Sequence, residues 1–232
     1  YAREEAFKQG VEFQVDSLLK SESSLREISA ILRCDLSLMI SEYEMKILQD
    51  LFKVPKEIIY YLPFLLEDIQ EKSSYSFEQR EDFVSIGNFL HKPNWDSVIN
   101  LKENIWPLIH AELPNVKMNI YGAYTPPKAK QLHNEKEGFL ILGKAKDAKT
   151  VVERARLCLS PLRFGAGLKG KLLEAMECGT PSITTNIGAE AMNGDYPWPG
   201  AIANDSKAFA KCAIENYVNK SMWQNKQVAG YD

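Results

Sequence analysis

Leu159-Ser160-Pro161-Leu162-Arg163-Phe164-Gly165-Ala166-Gly167-Leu168-Lys169-Gly170-Lys171-Leu172-Leu173-Glu174-Ala175-Met176 is the stretch on which the reading of this chain turns. A short apolar run ends at Pro161 and Arg163, a glycine-rich turn follows, and an amphipathic helix begins near Leu168. Two lysines stand at the mouth of that helix and Glu174 lies one turn further in. Unpaired backbone N–H groups at a helix start, with lysines beside them, form a phosphate-binding arrangement.

Strands and helices alternate around this stretch. Apolar runs predict strands at Phe83–Gly87, Val116–Gly122, Phe139–Gly143, Leu157–Ser160, Ser182–Thr185 and Ala201–Ala203. Helices are expected at Asn94–Ala111, Pro127–His133, Ala148–Arg154, Leu168–Cys178 and Ser206–Asn219, with Pro107 kinking the first or tightening its last turn. This order predicts an α/β fold, a doubly wound parallel Rossmann-like sheet with ligands beyond the carboxyl ends of its strands. Two strands end in glycine, Gly87 and Gly122, where a backbone must turn tightly or come close to a neighbour.

The opening third reads differently. Helices are expected over residues 2–20 and 24–33, the second with a Ser24–Glu27 capping box, and over Glu44–Leu51. Strands are expected at Asp35–Ser41 and Glu57–Tyr61. Two strands cannot close a covered parallel sheet, so residues 1–66 are read as a partial, truncated α/β domain. Residues 67–82 are polar and form the expected linker, and 83–232 the complete domain. The start Tyr1-Ala2-Arg3-Glu4-Glu5 lacks an initiator Met, and a longer parent protein is expected.

The 232 residues carry a net charge of −3, which argues against nonspecific nucleic-acid binding. No apolar run approaches the roughly 18 residues of a membrane span. The four cysteines are widely spaced and only three histidines are present, so neither a zinc framework nor a disulfide pattern is visible. A reducing, cytoplasmic setting follows as the default.

Three motifs overlap in the glycine turn. Gly165-x-Gly167-x-x-Gly170, with Glu190 about 20 residues on, has the form of a dinucleotide fingerprint and an NAD(P)-dependent oxidoreductase. That fingerprint belongs in the first strand–helix turn of its domain, whereas three strands precede this one. Gly165-x-x-x-x-Gly170-Lys171 has the form of a P-loop, but Leu172 stands where Ser or Thr would hold Mg²⁺. Third, Ser160-Pro161-Leu162-Arg163-x-Gly165-Ala166-Gly167-x-Lys169-x-Lys171-x-x-Glu174-Ala175-Met176-x-x-Gly179-x-Pro181 resembles the donor-binding segment of glycosyltransferase family 4, the group 1 type. Ile86-Gly87-Asn88-Phe89-x-x-x-Pro93-Asn94-x-Asp96, Gly143-x-x-x-Asp147, and Ile40-Ser41-Glu42-x-Glu44 through Leu62-Pro63-Phe64 fit the same resemblance in order.

The resemblance implies the C-terminal half of a retaining, two-domain GT-B enzyme together with part of its N-terminal, acceptor-side domain. It implies a nucleotide-diphosphate sugar as donor substrate, no cofactor and no metal, a glycan or lipid-linked acceptor, and a cytoplasmic enzyme whose remaining domain would reach the inner membrane. Lys171 would neutralise the donor diphosphate and Glu174 would hydrogen-bond the ribose. Gly165 and Gly167 would admit the sugar and phosphates to backbone amides, and the backbone of Lys144 would meet the base. Two positions depart from the family pattern. Ala166 stands where a first glutamate, eight positions before Glu174, ordinarily contacts the sugar. Asn88, after Gly87, stands where an arginine often contacts the diphosphate, with Arg163 or Lys169 as substitutes. No catalytic residue is assigned. A nonenzymatic nucleotide-binding domain with a degenerate site is the alternative that these two departures motivate.

Overall fold

The computed structural model describes residues 2–64, 75–194 and 196–231. The chain divides into two compact units, Tyr1–Asp68 with Phe164–Leu168, and Ile69–Arg163 with Lys169–Asp232.

In the first unit, α1 (Ala2–Lys8), a 3₁₀ turn (Val15–Lys20) and α2 (Glu22–Ile31) precede β1 (Ser37–Met39), α3 (Glu42–Asp50) and β2 (Ile59–Tyr61). The single helix expected over 2–20 is broken because Gly10 takes a left-handed φ of 66°, which ends a helix. The expected cap at Ser24 is corrected to Ser21, whose hydroxyl accepts from the backbone N–H of Ser24. Ser41 caps α3 in the same way, accepting from Glu44 N–H. Strands β1 and β2 pair in parallel, Ser37 with Ile59 and Met39 with Tyr61. A small core of Ile28, Ile31, Leu48, Val54 and Ile59 joins α2 and α3 to this ribbon.

The second unit starts with β3 (Glu81–Ile86), α4 (Lys92–Asn100), a π turn (Leu101–Ile105), α5 (Trp106–Glu112), β4 (Met118–Tyr121), α6 (Pro127–Lys130) and β5 (Phe139–Gly143). It continues through α7 (Ala148–Arg154), β6 (Ala155–Ser160), α8 (Gly170–Glu177), β7 (Ser182–Thr184), α9 (Asn186–Ala189), β8 (Gly200–Ile202), α10 (Ser206–Val218) and α11 (Lys220–Tyr231). Of the expected linker, residues 67–74 lie outside the described residues; Phe77–Gln79 form a 3₁₀ turn, and Glu81 and Asp82 already belong to β3.

All six strands are parallel, in the order β5-β4-β3-β6-β7-β8. Counted from the first strand of the unit this is 3-2-1-4-5-6, the doubly wound order, whose direction reverses between β3 and β6. Successive residues on these two strands face opposite sides, and both sides are covered. Phe83, Leu157 and Leu159 join the larger core with Leu101, Ile105, Trp106, Phe209 and Trp223. Val84 and Cys158 join Val152, Ala155, Ala175 and Cys178 on the other side. A strand stretch buried on both faces reads as a short apolar run, as Phe83-Val84 and Leu157-Cys158-Leu159 do.

The effect of Pro107 is a change of helical register. Proline offers no N–H to the turn before it, and the backbone there widens so that Trp106 N–H donates to Leu101 C=O, five residues back. Helix α8 starts at Gly170, two residues later than expected, and ends in a Schellman motif. Gly179, at φ 59°, donates to Met176 C=O and Thr180 donates to Ala175 C=O. Beside this end lies Arg80, fully buried, which donates to Cys178 C=O at 2.8 Å and Thr180 Oγ1 at 2.6 Å and lies over the Trp223 ring.

Candidate functional site

The site follows from where the strand order reverses. Chains leaving the carboxyl ends of β3 and β6 diverge to opposite sides, opening a crevice between them. On the β3 side, Gly87 N–H donates to Tyr121 C=O at 3.0 Å, which draws the ends of β3 and β4 together. The two strand-end glycines serve this approach. A Cβ on Gly122 would lie 2.4 Å from Gly87 O, and one on Gly87 would lie 2.7 Å from Cγ of Asn94. Asn88 then closes a local turn, its Oδ1 accepting from Leu90 N–H at 2.8 Å, and α4 starts.

On the β6 side, α8 presents Lys171 in its first turn. The half-buried ammonium donates to Oδ1 of Asn94 at 2.7 Å, and Asn94 Nδ2 donates to Asn88 C=O at 3.1 Å. Lys171 shares a recess with Ser85, Gly87, Phe89, Asn94 and Tyr121. Among the described residues it forms no ion pair. Burial pulls its pKa down to about 8, and the nearby Lys169 adds to the shift. The Cys158 thiol is itself pushed up to about 12 by burial, and is an inert neutral neighbour. Burial, with Lys171 second, lowers the pKa of His91 at the start of α4.

The second cation of the crevice is arranged differently. Arg163, just past β6, grips Asp96 of α4 with two hydrogen bonds, Nε to Oδ2 at 2.9 Å and Nη2 to Oδ1 at 2.5 Å. Its charge is thereby answered within the protein.

Glu174 lies one turn from Lys171 on α8 without pairing with it. Burial raises its pKa, with Glu177 second; Lys149 opposes and Asp147 adds to the shift. Lys169 is buried just ahead of α8, its backbone N–H directed to Sδ of Met192. Lys144 is exposed after Gly143 at the end of β5, an edge strand.

The glycine turn itself groups with the first unit. Gly165 and Gly167 have φ of 140° and 70°, conformations that a side chain would strain, and Ala166 between them is exposed. Arg3 donates to Gly165 C=O at 2.9 Å, and the rings of Phe7 and Phe164 are 5.1 Å apart. Thus Gly87, Asn88 and Lys171 come together at the strand-order reversal, Glu174 stands one turn away, and Lys144 lies beyond β4. The sequence offers Asn94 as the start of a helix and as part of the Pro93-Asn94-x-Asp96 segment of the resemblance, and gives it no role at the site; its contact with Lys171 is set by the fold. Among the described residues no cluster of His, Cys, Asp and Glu could hold a metal ion, and no helix is long and apolar enough to cross a membrane.

This is a doubly wound α/β domain with a cation at its switch point. Residues 80–219 match the family described as Glycosyl transferases group 1, and the chain belongs to that family. A Klebsiella pneumoniae relative, described as an uncharacterized 44.6 kDa protein in cps region, is 26% identical over 151 residues, 62% of this chain and 38% of its own. S. aureus TarM superposes with a TM-score of 0.71 at 17% identity, covering 90% of this chain and 42% of TarM. WaaG, a glycosyltransferase involved in lipopolysaccharide biosynthesis, gives 0.66 at 14%, covering 97% of this chain and 66% of WaaG. The pneumococcal O-GlcNAc transferase GtfA, solved with UDP and GlcNAc, gives 0.65 at 17%, covering 88% and 43%. These likenesses show a GT-B glycosyltransferase fold, of which the chain spans less than half the length of TarM and GtfA.

Proposed function

We propose that this chain is the donor-binding part of a retaining glycosyltransferase that moves a sugar from a nucleotide-diphosphate sugar to a glycan or lipid-linked acceptor. The observation that carries the reading is Lys171: an ammonium held at the switch point by a neutral amide, with no ion-pair partner among the described residues. Protein structures seldom leave a half-buried charge without an answering one unless a ligand supplies it.

The chemistry fits a leaving diphosphate. As the sugar–oxygen bond breaks, negative charge grows on the phosphate oxygen, and a positioned ammonium stabilises that charge more than the ground state. The N-terminus of α8 adds its partial positive charge. With a pKa of about 8, Lys171 is mostly protonated at neutral pH, and a bound dianion would hold the proton more firmly. Glu174, one turn along on α8, would accept from ribose hydroxyls, and the base would lie by Lys144 at the end of β5. The bound UDP of GtfA supports a diphosphate ligand of this kind.

Calorimetric titration of the chain with UDP, GDP and ADP tests the reading. Binding of at least one at micromolar to low millimolar concentration is expected. A folded chain that binds none of them at millimolar concentration would sink it.

A further inference from the structure

We propose that Asn94 is a positioning residue of this site, holding the Lys171 ammonium at the crevice while leaving its charge unspent for a phosphate. The inference rests on the reading of Lys171 as the diphosphate cation and deepens it.

Chemistry fixes the orientation of the amide. An ammonium can only donate and a backbone carbonyl can only accept, so Oδ1 must face Lys171, at 2.7 Å, and Nδ2 must face Asn88 C=O, at 3.1 Å. Asn94 therefore ties the first turn of α8 to the loop leaving β3, across the line where the strand order reverses. Its backbone N–H donates to His91 C=O at 3.0 Å, which sets the side chain at the head of α4. Gly87 makes the room, since a Cβ there would press on Cγ of Asn94 at 2.7 Å. Aspartate has nearly the same shape as asparagine and could not do this work. It has no donor for Asn88 C=O, and it would place a full negative charge beside the ammonium. Two residues further on the chain uses that alternative: Asp96 engages Arg163 with both carboxylate oxygens. Helix α4 thus holds one cation with a neutral group and the other with a charged one. The other ionisable groups around Lys171 are Lys169 ahead of α8, Glu174 within it, Cys158 on β6, Tyr121 on β4 and His91 at α4. None forms an ion pair with Lys171.

The test compares UDP and GDP with uridine and guanosine by calorimetry, on the full chain and on Asn94→Asp and Asn94→Ala. Asn94→Asp is expected to weaken diphosphate binding about thirtyfold, the scale of one hydrogen bond to a charged group. Asn94→Ala is expected to lose about three- to tenfold, because the ammonium keeps its charge but not its place. Nucleoside affinity should stay within about twofold, as no base or ribose contact changes. A residue that merely supports the fold would weaken both ligand types alike, and that result overturns the inference. So does a diphosphate affinity in Asn94→Asp equal to that of the unaltered chain; in both cases diphosphate binding by the unaltered chain leaves the donor-site reading standing. Absence of any diphosphate binding by the folded, unaltered chain overturns both. If Asn94→Asp does not fold, Asn94→Ala decides alone: a loss confined to diphosphates supports the role, and an equal loss overturns it.

Discussion

Lys171 and Arg163 follow the same strand and reach the same helix, yet they are held in opposite ways. Arg163 meets a carboxylate in a two-point grip. Lys171 meets an amide oxygen. The first arrangement consumes the charge in tying the loop after β6 to α4, whereas the second positions the charge and leaves its field outward. A cation's role is therefore read from its partner rather than from its presence. Arg163, which the sequence offered as a substitute for the missing second diphosphate cation, is engaged within the protein.

The difference can be broken most severely at Lys171. Replacing it by Ala should weaken UDP or GDP binding about 10- to 100-fold, the effect of losing one charge-assisted hydrogen bond, with nucleoside binding little changed. Equal losses for nucleotide and nucleoside in calorimetry would show that Lys171 shapes the pocket rather than meeting phosphate.

Gly87→Ala approaches the same arrangement from behind. The new methyl must displace Asn94, at a cost of about 1–3 kcal/mol in stability and about tenfold in diphosphate affinity. Thermal melts with parallel titrations check both; an unchanged affinity would separate Asn94 from ligand binding.

A pH series gives a smaller, graded effect. Lys171 is lowered from 10.5 to about 8, so its charge is present below pH 8 and lost above it. Phosphate, with its second pKa near 6, is already fully charged there. Diphosphate affinity should therefore fall as pH rises through about 8, by up to about tenfold per unit, with proton uptake on binding. The sign for folding is the reverse. Between pH 8 and 10.5 the unfolded chain binds more protons than the folded one, so this group makes stability rise with pH across that window. A flat affinity between pH 7 and 9.5 would remove Lys171 from the ligand.

Arg163→Ala should have the least effect on the ligand. It frees Asp96 and costs about 1 kcal/mol or less, as partly exposed ion pairs do, with diphosphate affinity changed by less than about threefold. A loss as large as that of Lys171→Ala would erase the distinction between the two cations.

Much of this was legible because a parallel sheet covered on both faces writes itself as short apolar runs. Phe83–Ile86, Phe139–Gly143 and Leu157–Ser160 are such runs, and the helices between them follow by alternation. What escaped lacked contrast. Lys220–Tyr231 is mostly polar and is held by Trp223, fully buried, whose Nε1 donates to Arg156 C=O at 2.6 Å. No apolar periodicity marks a helix that buries one large side chain and is otherwise held by polar contacts such as that of Gln227 with Gly179 C=O. Gly10 was visible, but its left-handed φ was not, so the first helix was drawn too long. At the site, the lysine-rich turn pointed to Lys171. Its partner could not be inferred from spacing, because Asn94 lies 77 positions away and only the strand order brings the two together.

The far end of α8 has a consequence for its working end. Arg80, Thr180 and the Gly179 turn moor the last carbonyls of the helix, and Tyr231 Oη lies where any Cβ on Gly179 would fall, at 1.9 Å. The helix that carries Lys171 is thus clamped at its base like a mast. A ligand arriving at its tip pulls on a rigid mounting, and little of the binding free energy is dissipated in setting the backbone straight. Binding should then register as small adjustments of side chains around a stationary helix.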